Sequence, residues 1–364
     1  MQNSKYLKLK IGFFNINGLV GETSFNPDFL EIIKKYDIIT LSETWHKNPD
    51  CINKIKGNFP KEYRFVDNAR KNKHKKSKRN SGGILVCYKK CLHGSIVVLD
   101  KKSENMIWLK LKKEYLNAQK DFIIGGIYNS PINSSYTKSN DNDMFEEIQN
   151  KIMTFSPNDY ILLGGDFNAR VGNMQDYIDE NDEDVELLNL PQNYQIDRYK
   201  RPRSDQDQHK NTYGDKLIEL AISSGMKILN GRTLGDFMGK YTYIGYNGIS
   251  TVDYVLGSEN LIMQNYIHSF NVEDLTLISD HRPISVTLQY SANMNKDKTK
   301  TRFSTKPRKR NIILRNYAKY KTELDLRMNN NDINCIISRL ENMKNINDTS
   351  DINNIIQMIT DMYT

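Results

Sequence analysis

Short runs of hydrophobic residues, many of them alternating with polar ones, dominate the first 290 positions of the chain. In the first run Leu7, Leu9, Ile11 and Phe13 alternate with polar neighbours up to Asn15, which is the period-2 pattern of a strand. Eleven further runs predict strands at Asp37–Leu41, Tyr63–Asp67, Gly83–Tyr88, Ser95–Leu99, Met106–Leu111, Phe122–Tyr128, Tyr160–Gly164, Lys227–Leu229, Tyr241–Ile244, Val252–Leu256 and Ser285–Leu288.

Three segments with helical spacing of apolar residues lie between these runs, at Asp28–Lys35, Asp143–Thr154 and Thr212–Ser224. Many strands with few helices argue against a regular βαβ repeat, and no GxGxxG motif follows a strand. The pattern predicts an α/β protein in which two sheets pack face to face with helices on their outer faces.

The composition of the 364 residues, 38% of them hydrophobic, supports a packed core. No stretch approaches the roughly 20 apolar residues of a membrane span, and no apolar signal segment precedes the first strand. Four cysteines without a paired CxxC arrangement make a zinc site improbable and favour a reducing compartment. We therefore expect an intracellular protein, nuclear or cytoplasmic, with no membrane partner.

The net charge of +8 is concentrated rather than spread. Residues 70–79 contain seven cationic side chains in ten positions, a block that repels itself and is expected to form an exposed loop. Three interpretations stay open: contact with phosphates, a nuclear address, or a solvated loop without a partner. The candidate phosphate contacts are Arg70, Lys71, Lys73, Lys75 and Lys76.

Two other regions depart from the strand pattern. The acidic run 176–186 continues into polar sequence up to Lys210, which predicts a long surface insertion. After position 290, a second basic cluster at 298–310 precedes helically spaced apolar residues. We predict one domain over residues 1–290, and a basic linker with a helical or disordered tail over 291–364.

Polar residues suited to catalysis recur where predicted strands begin or end. Taken singly, each has an ordinary explanation as a turn former, a helix cap or a structural histidine. Their repetition within one domain instead indicates a shared site. These residues are Asn15, Asn17, Glu43, Tyr128, Asp166, Asn168, Asp253, Ser279, Asp280 and His281.

The chemistry of this set is coherent. Its carboxylate and amide oxygens are hard donors, which suit Mg²⁺ or Mn²⁺ better than zinc. His281 can pair with Asp253, which would fix its tautomer and raise its basicity. Tyr128 and the asparagine amides can donate to phosphate oxygens. Together these groups meet the needs of phosphoester hydrolysis.

The order in which these residues occur along the chain resembles that of the endonuclease/exonuclease/phosphatase superfamily. This superfamily includes DNase I, apurinic endonucleases, inositol polyphosphate 5-phosphatases and neutral sphingomyelinases. More narrowly, the set resembles the endonuclease domain of non-LTR (LINE-type) retrotransposons. That narrower likeness rests on Ser42–Trp45, Asn211–Leu217, Gly225–Arg232, Tyr241–Tyr243 and Thr251–Leu256. The resemblance spans about residues 6–290 and implies a four-layered, DNase I-like sandwich of two mixed β-sheets.

The resemblance also implies roles. Asn15 and Glu43 would hold the divalent ion, with Asp280 supporting the metal site or the attacking water. Asp166 would orient or deprotonate that water, and Asn168 and Tyr128 would contact the scissile phosphate. His281, oriented by Asp253, would stabilise the transition state or transfer a proton, and whether Asp166 or His281 is the general base stays open. Substrate-binding positions would include Asn17, Thr242 and Ser279.

By the same resemblance the substrate would be DNA, nicked to leave a 3′-hydroxyl and a 5′-phosphate. The sequence shows no polymerase motif, so copying from that 3′-hydroxyl would need a separate reverse transcriptase. One alternative keeps the fold but acts on abasic sites, or on lipid or inositol phosphates; the membrane-binding loops expected of lipid-directed members are not found. Another is a catalytically silent, co-opted DNA-binding module, although every motif position holds a competent residue.

Overall fold

A computed structural model describes residues 6–19, 22–70, 81–139, 143–155, 159–178, 197–246 and 248–291. Within this part of the chain there are fourteen strands and seven α-helices. The strands are β1 Tyr6–Asn15, β2 Ile38–Ser42, β3 Tyr63–Asn68, β4 Ile84–Lys89, β5 Ile96–Asp100, β6 Met106–Leu111, β7 Phe122–Tyr128, β8 Tyr160–Asp166, β9 Met226–Ile228, β10 Tyr243–Gly245, β11 Gly248–Ser250, β12 Asp253–Ser258, β13 Ile267–Val272 and β14 Ile284–Ser291.

The helices lie between strands, and several begin at an asparagine cap. Asn26 and Asn211 each accept a hydrogen bond from a backbone N–H of the following turn, at 2.8 Å, which satisfies a donor that the helix leaves unpaired. The helices are α1 Pro27–Lys34, α2 Pro49–Ile55, α3 Lys113–Leu116, α4 Ser135–Ser139, α5 Met144–Phe155, α6 Thr212–Ser223 and α7 Glu259–Met263, with short 3₁₀ turns at Glu22–Phe25, Lys56–Asn58 and Lys90–Leu92.

The strands form two six-stranded sheets and a two-stranded ribbon. The first sheet has the order β13-β14-β1-β2-β4-β3, and the second has the order β5-β6-β7-β8-β12-β9. Both are mixed, because β1 is parallel to β2 and β7 is parallel to β8 while the other pairs are antiparallel. Strands β10 and β11 make the ribbon, in which Tyr243 pairs with Ser250.

Three buried apolar clusters separate four layers. The central cluster joins the facing sides of the two sheets, with Phe13 from the first and Leu162 from the second. A second cluster packs α5 and α6 on the outer side of the second sheet, and a third packs α1 and α2 on the outer side of the first. The predicted sandwich of two mixed sheets with outer helices is confirmed. Neighbouring residues such as Phe13 and Phe14 serve opposite faces, so the central strands are buried on both sides.

The elements that the pattern did not predict are short or lie at an edge. Strand β13 is largely half-buried and sits at the edge of the first sheet, so its sequence lacks a continuous apolar run. Strand β11 has three residues, and α2, α3, α4 and α7 have between four and seven. Such short segments contain too few residues to define a period.

The predicted surface insertion at 176–210 is wrong for four of its aspartates, although most of the described positions from 197 to 210 are exposed. Asp176, Asp197, Asp205 and Asp207 are all at most 5% exposed. Their charges are compensated by buried or half-buried cations; Asp176 pairs with Arg232 at 2.6 Å, for example. Paired carboxylates can be buried where isolated ones cannot, and the sequence does not reveal such pairs.

Several predictions fall outside the described residues. These are the basic positions 71–80, the acidic positions 179–186, and the linker and tail beyond position 291. Cys51, Cys87 and Cys91 are free thiols. None of the described helices combines the length and the apolar character that a membrane span needs.

Candidate active site

A cavity of about 330 Å³ lies where the two sheets meet at one end. Its walls combine the ends of central strands with the loops that follow them, and most of the side chains are polar. The described lining residues are Asn15, Asn17, Glu43, Pro131, Asp166, Asn168, Tyr243, Ser250, Val252, Asp280 and His281. The structure thus brings together seven of the predicted site residues, which are spread over 266 positions from Asn15 to His281.

Two consecutive glycines of β8 allow close approach of its neighbours, Gly164 to the opposite sheet and Gly165 to β7 of the same sheet. A Cβ at Gly164 would lie 2.7 Å from the ring of Phe13 in the opposite sheet. A Cβ at Gly165, whose φ is +140°, would lie 2.0 Å from the carbonyl oxygen of Ile127. Any larger residue would push β8 away from its neighbours, and Asp166 at the end of β8 would move with it.

Glu43 is held by three donors on different elements. Its Oε1 accepts from the Tyr128 hydroxyl at 2.7 Å and from the Asn15 amide at 3.3 Å, and its Oε2 accepts from the Trp45 indole at 3.0 Å. Burial, and then the charge of Glu43, raise the pKa of Tyr128 well above its ordinary value. The phenol therefore stays protonated and acts as a donor.

Backbone strain is concentrated around the cavity. Seven described non-glycine residues have positive φ angles between 49° and 67°, and four of them, Asn17, Glu43, Trp45 and Asn168, belong to this site. Each left-handed residue other than glycine costs about 1–2 kcal/mol. Strain that the surroundings sustain in this way is typical of functional sites.

Asp166 is buried and surrounded by amide donors. Its Oδ2 accepts from the Asn15 amide at 2.9 Å and from the Asn168 amide at 3.2 Å, and its Oδ1 accepts from the Asn168 backbone at 2.9 Å. Asn211, the cap of α6, donates to the Asn168 carbonyl at 3.0 Å, which fixes the loop after β8. Burial, followed by the nearby charge of Asp253, raises the pKa of Asp166.

His281 and Asp253 form the predicted pair. The imidazole Nδ1 lies 2.9 Å from Oδ2 of Asp253, and Nε2 lies 4.0 Å from Oδ2 of Asp166. The Tyr243 ring packs edge-on against the imidazole, with centroids 5.0 Å apart. Burial lowers the pKa of His281, but the charge and the hydrogen bond of Asp253 outweigh burial and raise it to about 10. The imidazole is therefore an imidazolium at neutral pH.

Thr242 and Ser279 lie beneath the cavity rather than on its described wall. The Thr242 hydroxyl accepts from the backbone N–H groups of Val252 and Asp253, both at 3.0 Å. The Ser279 hydroxyl donates to the Asn15 carbonyl at 2.7 Å and accepts from the His281 N–H at 3.1 Å. Both residues therefore fix the backbone from which catalytic candidates project.

Asp280 and Asn17 face the same cavity as Glu43. The Asn17 amide donates to Oδ1 of Asp280 at 3.3 Å, and the Asn17 backbone donates to the Asn15 side-chain oxygen at 3.1 Å. Asn17 itself is exposed, and so is able to reach a ligand in the cavity.

The donor set fits a hard divalent ion. Glu43, Asp280 and Asn15 line one cavity, and carboxylate and amide oxygens suit Mg²⁺ or Mn²⁺. The Asn15 oxygen accepts from the Asn17 backbone, and its nitrogen faces Glu43. Asp166, Asp253 and His281 form another group, with ligand atoms within 4.8 Å of one another. In that group, however, His281 is already hydrogen-bonded to Asp253, so the Glu43 side of the cavity is the better match.

Arg70, at the start of the basic block, is buried, and the predicted exposed loop is wrong at this position. Its exposed fraction is 5%, and it donates to the Asn105 and Ser130 side chains at 2.5 and 3.1 Å. Its guanidinium lies 3.7 Å from the Tyr136 ring centroid and 5.4 Å from that of Tyr128. Stacking on aromatic rings allows a guanidinium to be buried. The sequence does not show this contact, because Arg70 there is the first residue of a run of charges.

Three residues at the site were not singled out from the sequence. Trp45 donates to Glu43, Tyr243 packs on His281, and the Asn129 carbonyl accepts from the Asn168 amide at 2.8 Å. Trp45 and Tyr243 lie within the motif runs that carried the resemblance, and Asn129 directly follows the candidate Tyr128, so proximity to a motif or a candidate residue was the available signal. Their contacts cross between loops, which a linear pattern does not encode.

Residues 12–281 match the Endonuclease/Exonuclease/phosphatase family. Since the match covers well over half of the chain, the protein belongs to this family. It shares the family's hydrolase fold, and its candidate site lies in the region that the match spans. No curated protein matches the sequence.

Among solved structures, the chain is similar to the AP endonuclease LMAP from Leishmania major, with 14% identity, a TM-score of 0.55 and coverage of 78% of this chain and 88% of that one. It is also similar, at 14% identity and a TM-score of 0.46, to the endonuclease domain of TRAS1, a telomere-specific non-LTR retrotransposon, with coverage of 78% and 98%. The 3′ phosphatase NExo from Neisseria, bound to a product DNA hairpin, has the same identity and TM-score with coverage of 76% and 98%. At this identity the first likeness supports the fold and nothing finer.

Proposed function

We propose that this protein is a metal-dependent phosphodiesterase that nicks DNA and leaves 3′-hydroxyl and 5′-phosphate ends. The observation that carries the proposal is the convergence, in one cavity, of oxygen donors, an ion-paired histidine and a buried carboxylate. In-line hydrolysis of a phosphodiester uses groups of these kinds. The motif runs that resemble LINE-type endonucleases support a target-site nicking role, for which a separate reverse transcriptase would be the partner.

We assign to Asp166 the role of the base that deprotonates the attacking water. To His281 we assign the stabilisation of the negative charge that develops on the phosphate. The raised pKa of Asp166 makes it a competent base near neutral pH. The imidazolium of His281, held by Asp253, stabilises negative charge on the phosphate and can donate a proton to it. The exposed Asn17 amide binds phosphate oxygens. Asn168, whose amide donates to Asp166 and to the Asn129 carbonyl, acts as a positioning residue together with Tyr128, Thr242 and Ser279.

Glu43 and Asp280 would hold Mg²⁺ or Mn²⁺, and Asn15 would join them once its amide turns its oxygen, now bonded to the Asn17 backbone, towards the ion. When bound, such an ion neutralises phosphate charge and acts as a Lewis acid. Tyr128 and Trp45 keep the Glu43 carboxylate in one orientation by donating to both of its oxygens. Glu43 is therefore oriented before an ion enters.

The ribbon β10–β11 supports a polymeric substrate. It contributes Tyr243 and Ser250 to the cavity, and it extends outward to Ile244, Ile249 and the fully exposed Tyr246. Exposed aromatic and aliphatic side chains beside a phosphate site are suited to contact the sugars and bases of a nucleic acid. A small phosphorylated substrate would leave these side chains without a role.

Nicking of supercoiled plasmid tests the proposal. The purified chain with Mg²⁺ should convert supercoiled plasmid to open circles, and the nicked ends should prime a DNA polymerase without phosphatase treatment. His281→Ala should reduce the nicking rate by about 10²–10⁴-fold because it removes the imidazolium. His93→Ala, at an exposed histidine beside Tyr88 at the other end of β4, is the matched control. Equal nicking by the wild type and His281→Ala would disprove the proposal.

Assays of the same protein on other substrates separate the alternative functions. Preferential cleavage of an abasic duplex would favour a repair enzyme, and release of phosphate from 3′-phosphorylated ends or lipid headgroups would favour a phosphatase. Binding of duplex DNA without nicking under any divalent ion would indicate a silent DNA-binding module.

A further inference from the structure

A second cavity, of about 470 Å³, lies at the edge where β13 of the first sheet and β9 of the second end the two sheets. We call it the edge cavity. Its walls come from the loop after β9, from helix α7, from the start of β13 and from the segment 199–201. It shares no described lining residue with the active-site cavity. Cavities of this size hold small organic ligands.

Side chains with N–H donors surround the edge cavity, and its described lining contains no carboxylate. Arg201, Arg232 and His268 contribute to the wall, and Lys8 Nζ lies 2.7 Å from Nε2 of His268. Because an ammonium group can only donate, Nε2 accepts from Lys8, which leaves Nδ1 as the donor of the ring. Together with the two guanidinium groups, this donor suits an anion.

Arg232 is the least ordinary of these residues. Its exposed fraction is 1%, its Nη2 donates to Asp176 at 2.6 Å, and its Nε and Nη1 have no hydrogen-bond partner. Unpaired donors on a buried guanidinium are rare and call for an explanation. The ring of Tyr199, 5.9 Å from the guanidinium carbon, is held in turn by the bond from its backbone N–H to Glu259 at 2.7 Å.

An independent feature of the backbone aims His268 at this cavity. Successive residues of a strand normally point to opposite faces, yet Ile267 and His268 both line the wall. The register of β13 against β14 shifts between Ile267 and Ser269, so His268 is the extra residue of a β-bulge. Bulges at sheet edges commonly redirect a side chain towards a site.

Apart from Thr233 and Asn265, the rest of the wall is mainly apolar and partly open. Leu229, Ile262 and Ile267 line it together with Leu234 and Met263, and the last two are 54% and 44% exposed. Large apolar side chains left exposed beside a cationic floor match a ligand that is both anionic and apolar. The concave shape favours a small molecule over a duplex, whose phosphates lie on a convex surface.

We propose that the edge cavity binds a small organic anion, with its phosphate or carboxylate at Arg201, His268 and Arg232 and its apolar body on the aliphatic wall. Arg232 lines the cavity and offers the donors Nε and Nη1, which have no hydrogen-bond partner, while its Nη2 stays paired with Asp176. This site is separate from the proposed nuclease site and does not depend on it.

Titration calorimetry of the full chain, without divalent ions, tests the proposal with three probes: adenosine 5′-monophosphate, octanoate and inorganic phosphate. At least one organic anion should bind about tenfold tighter than inorganic phosphate, because burial of its apolar part adds to the ion pair. The organic anion that binds more tightly shows whether the apolar wall accommodates a nucleoside or an alkyl chain. The imidazole NMR signals of His268, assigned with His268→Gln, should shift on binding.

Arg201→Ser should weaken binding about fivefold, the size of one partly exposed ion pair, and Arg232→Lys should weaken it further. Arg64→Ser, at an exposed arginine on β3 at the opposite edge of the first sheet, and Asn168→Ala in the active site should leave binding unchanged. If Arg232→Lys does not fold, Arg201→Ser and the His268 signals still decide. Equal binding by the wild type and Arg201→Ser, an unperturbed His268, or preferential binding of short duplex DNA there would overturn the proposal.

Discussion

The two sheets contribute to the active site in different ways. The second sheet supplies Tyr128, Asp166 and Asp253 from within strands β7, β8 and β12, and each is at most 3% exposed. The first sheet supplies Glu43 and Asp280 from loops, and both are half-buried. The groups of the second sheet are therefore fixed by their strands. The groups of the first sheet lie on loops, whose positions depend on further contacts.

Three hydrogen bonds between the sheets fix the positions of these groups. They join Asn15 to Asp166 at 2.9 Å, Tyr128 to Glu43 at 2.7 Å and His281 to Asp253 at 2.9 Å. Each pairs a group of the first sheet with one of the second. The geometry of the candidate active site therefore depends on how the sheets pack, and each contact can be broken separately.

Among these substitutions, which leave His281 in place, the largest effect is expected from Glu43 in the loop of the first sheet. Glu43→Gln keeps the shape of the side chain but removes its charge, so nicking should fall by about 10²–10³-fold and higher Mg²⁺ should restore part of it. Glu31→Gln, at an exposed glutamate of α1, is the control. Unchanged metal dependence in Glu43→Gln would show that the ion is held elsewhere.

Breaking the histidine contact should have a smaller effect. Asp253→Asn should reduce nicking about 10–100-fold, as expected for a residue that acts through its partner. The negative charge of Asp253 stabilises the imidazolium, so its removal should lower the pKa of His281 in an NMR titration of the metal-free protein. A pKa that stays high in the variant would contradict the assigned pair.

The same variant has a pH signature in stability. Because the folded-state pKa of His281 is raised to about 10, its pairing energy is complete below the unfolded pKa of about 6.5 and is lost as the pH rises through the folded value. The difference in melting temperature between wild type and Asp253→Asn should therefore shrink from pH 6.5 to pH 10.

Tyr128→Phe removes one donor to Glu43 and leaves the ring in place. We expect about tenfold slower nicking, the equivalent of one hydrogen bond to a charged group, with weaker Mg²⁺ affinity and little change in DNA affinity. Tyr88→Phe, which removes a hydroxyl at the far end of β4, should behave as wild type. A change in DNA affinity alone would mean that Tyr128 contacts the phosphate instead.

The smallest effect is expected for Arg70, which contacts Tyr128 and does not itself line the cavity. Arg70→Lys keeps the charge but loses the planar stacking on Tyr136 and Tyr128, so nicking should fall by roughly twofold to fivefold through Tyr128. In a second variant, Arg70→Gln, which removes the charge, the slope of log DNA affinity against log salt should not change, because Arg70 is buried. A slope that becomes shallower by nearly one unit would instead identify a phosphate contact.

Much of the architecture could be predicted because its central strands carry their own pattern. Met106–Leu111 and Phe122–Tyr128 have the predicted bounds, since both are apolar runs buried on both faces. Strand β13 was missed because half of its surface is solvated and a bulge interrupts its register. The roles of Asp176 and Arg70 were missed because burial of a charge depends on a partner far away in the sequence.

The sequence by itself determined the order of the strands and the chemistry at their ends, because alternation and residue type are local properties. It placed a histidine, carboxylates and amides at strand termini, and the family follows from that order. Only the tertiary structure decided which of these groups meet. Glycine-permitted packing of β8 against the first sheet brings Asn15 to Asp166, and contacts between the sheets orient Glu43 and His281. The edge cavity has the same origin, because no local pattern brings Arg201, Arg232 and His268 together.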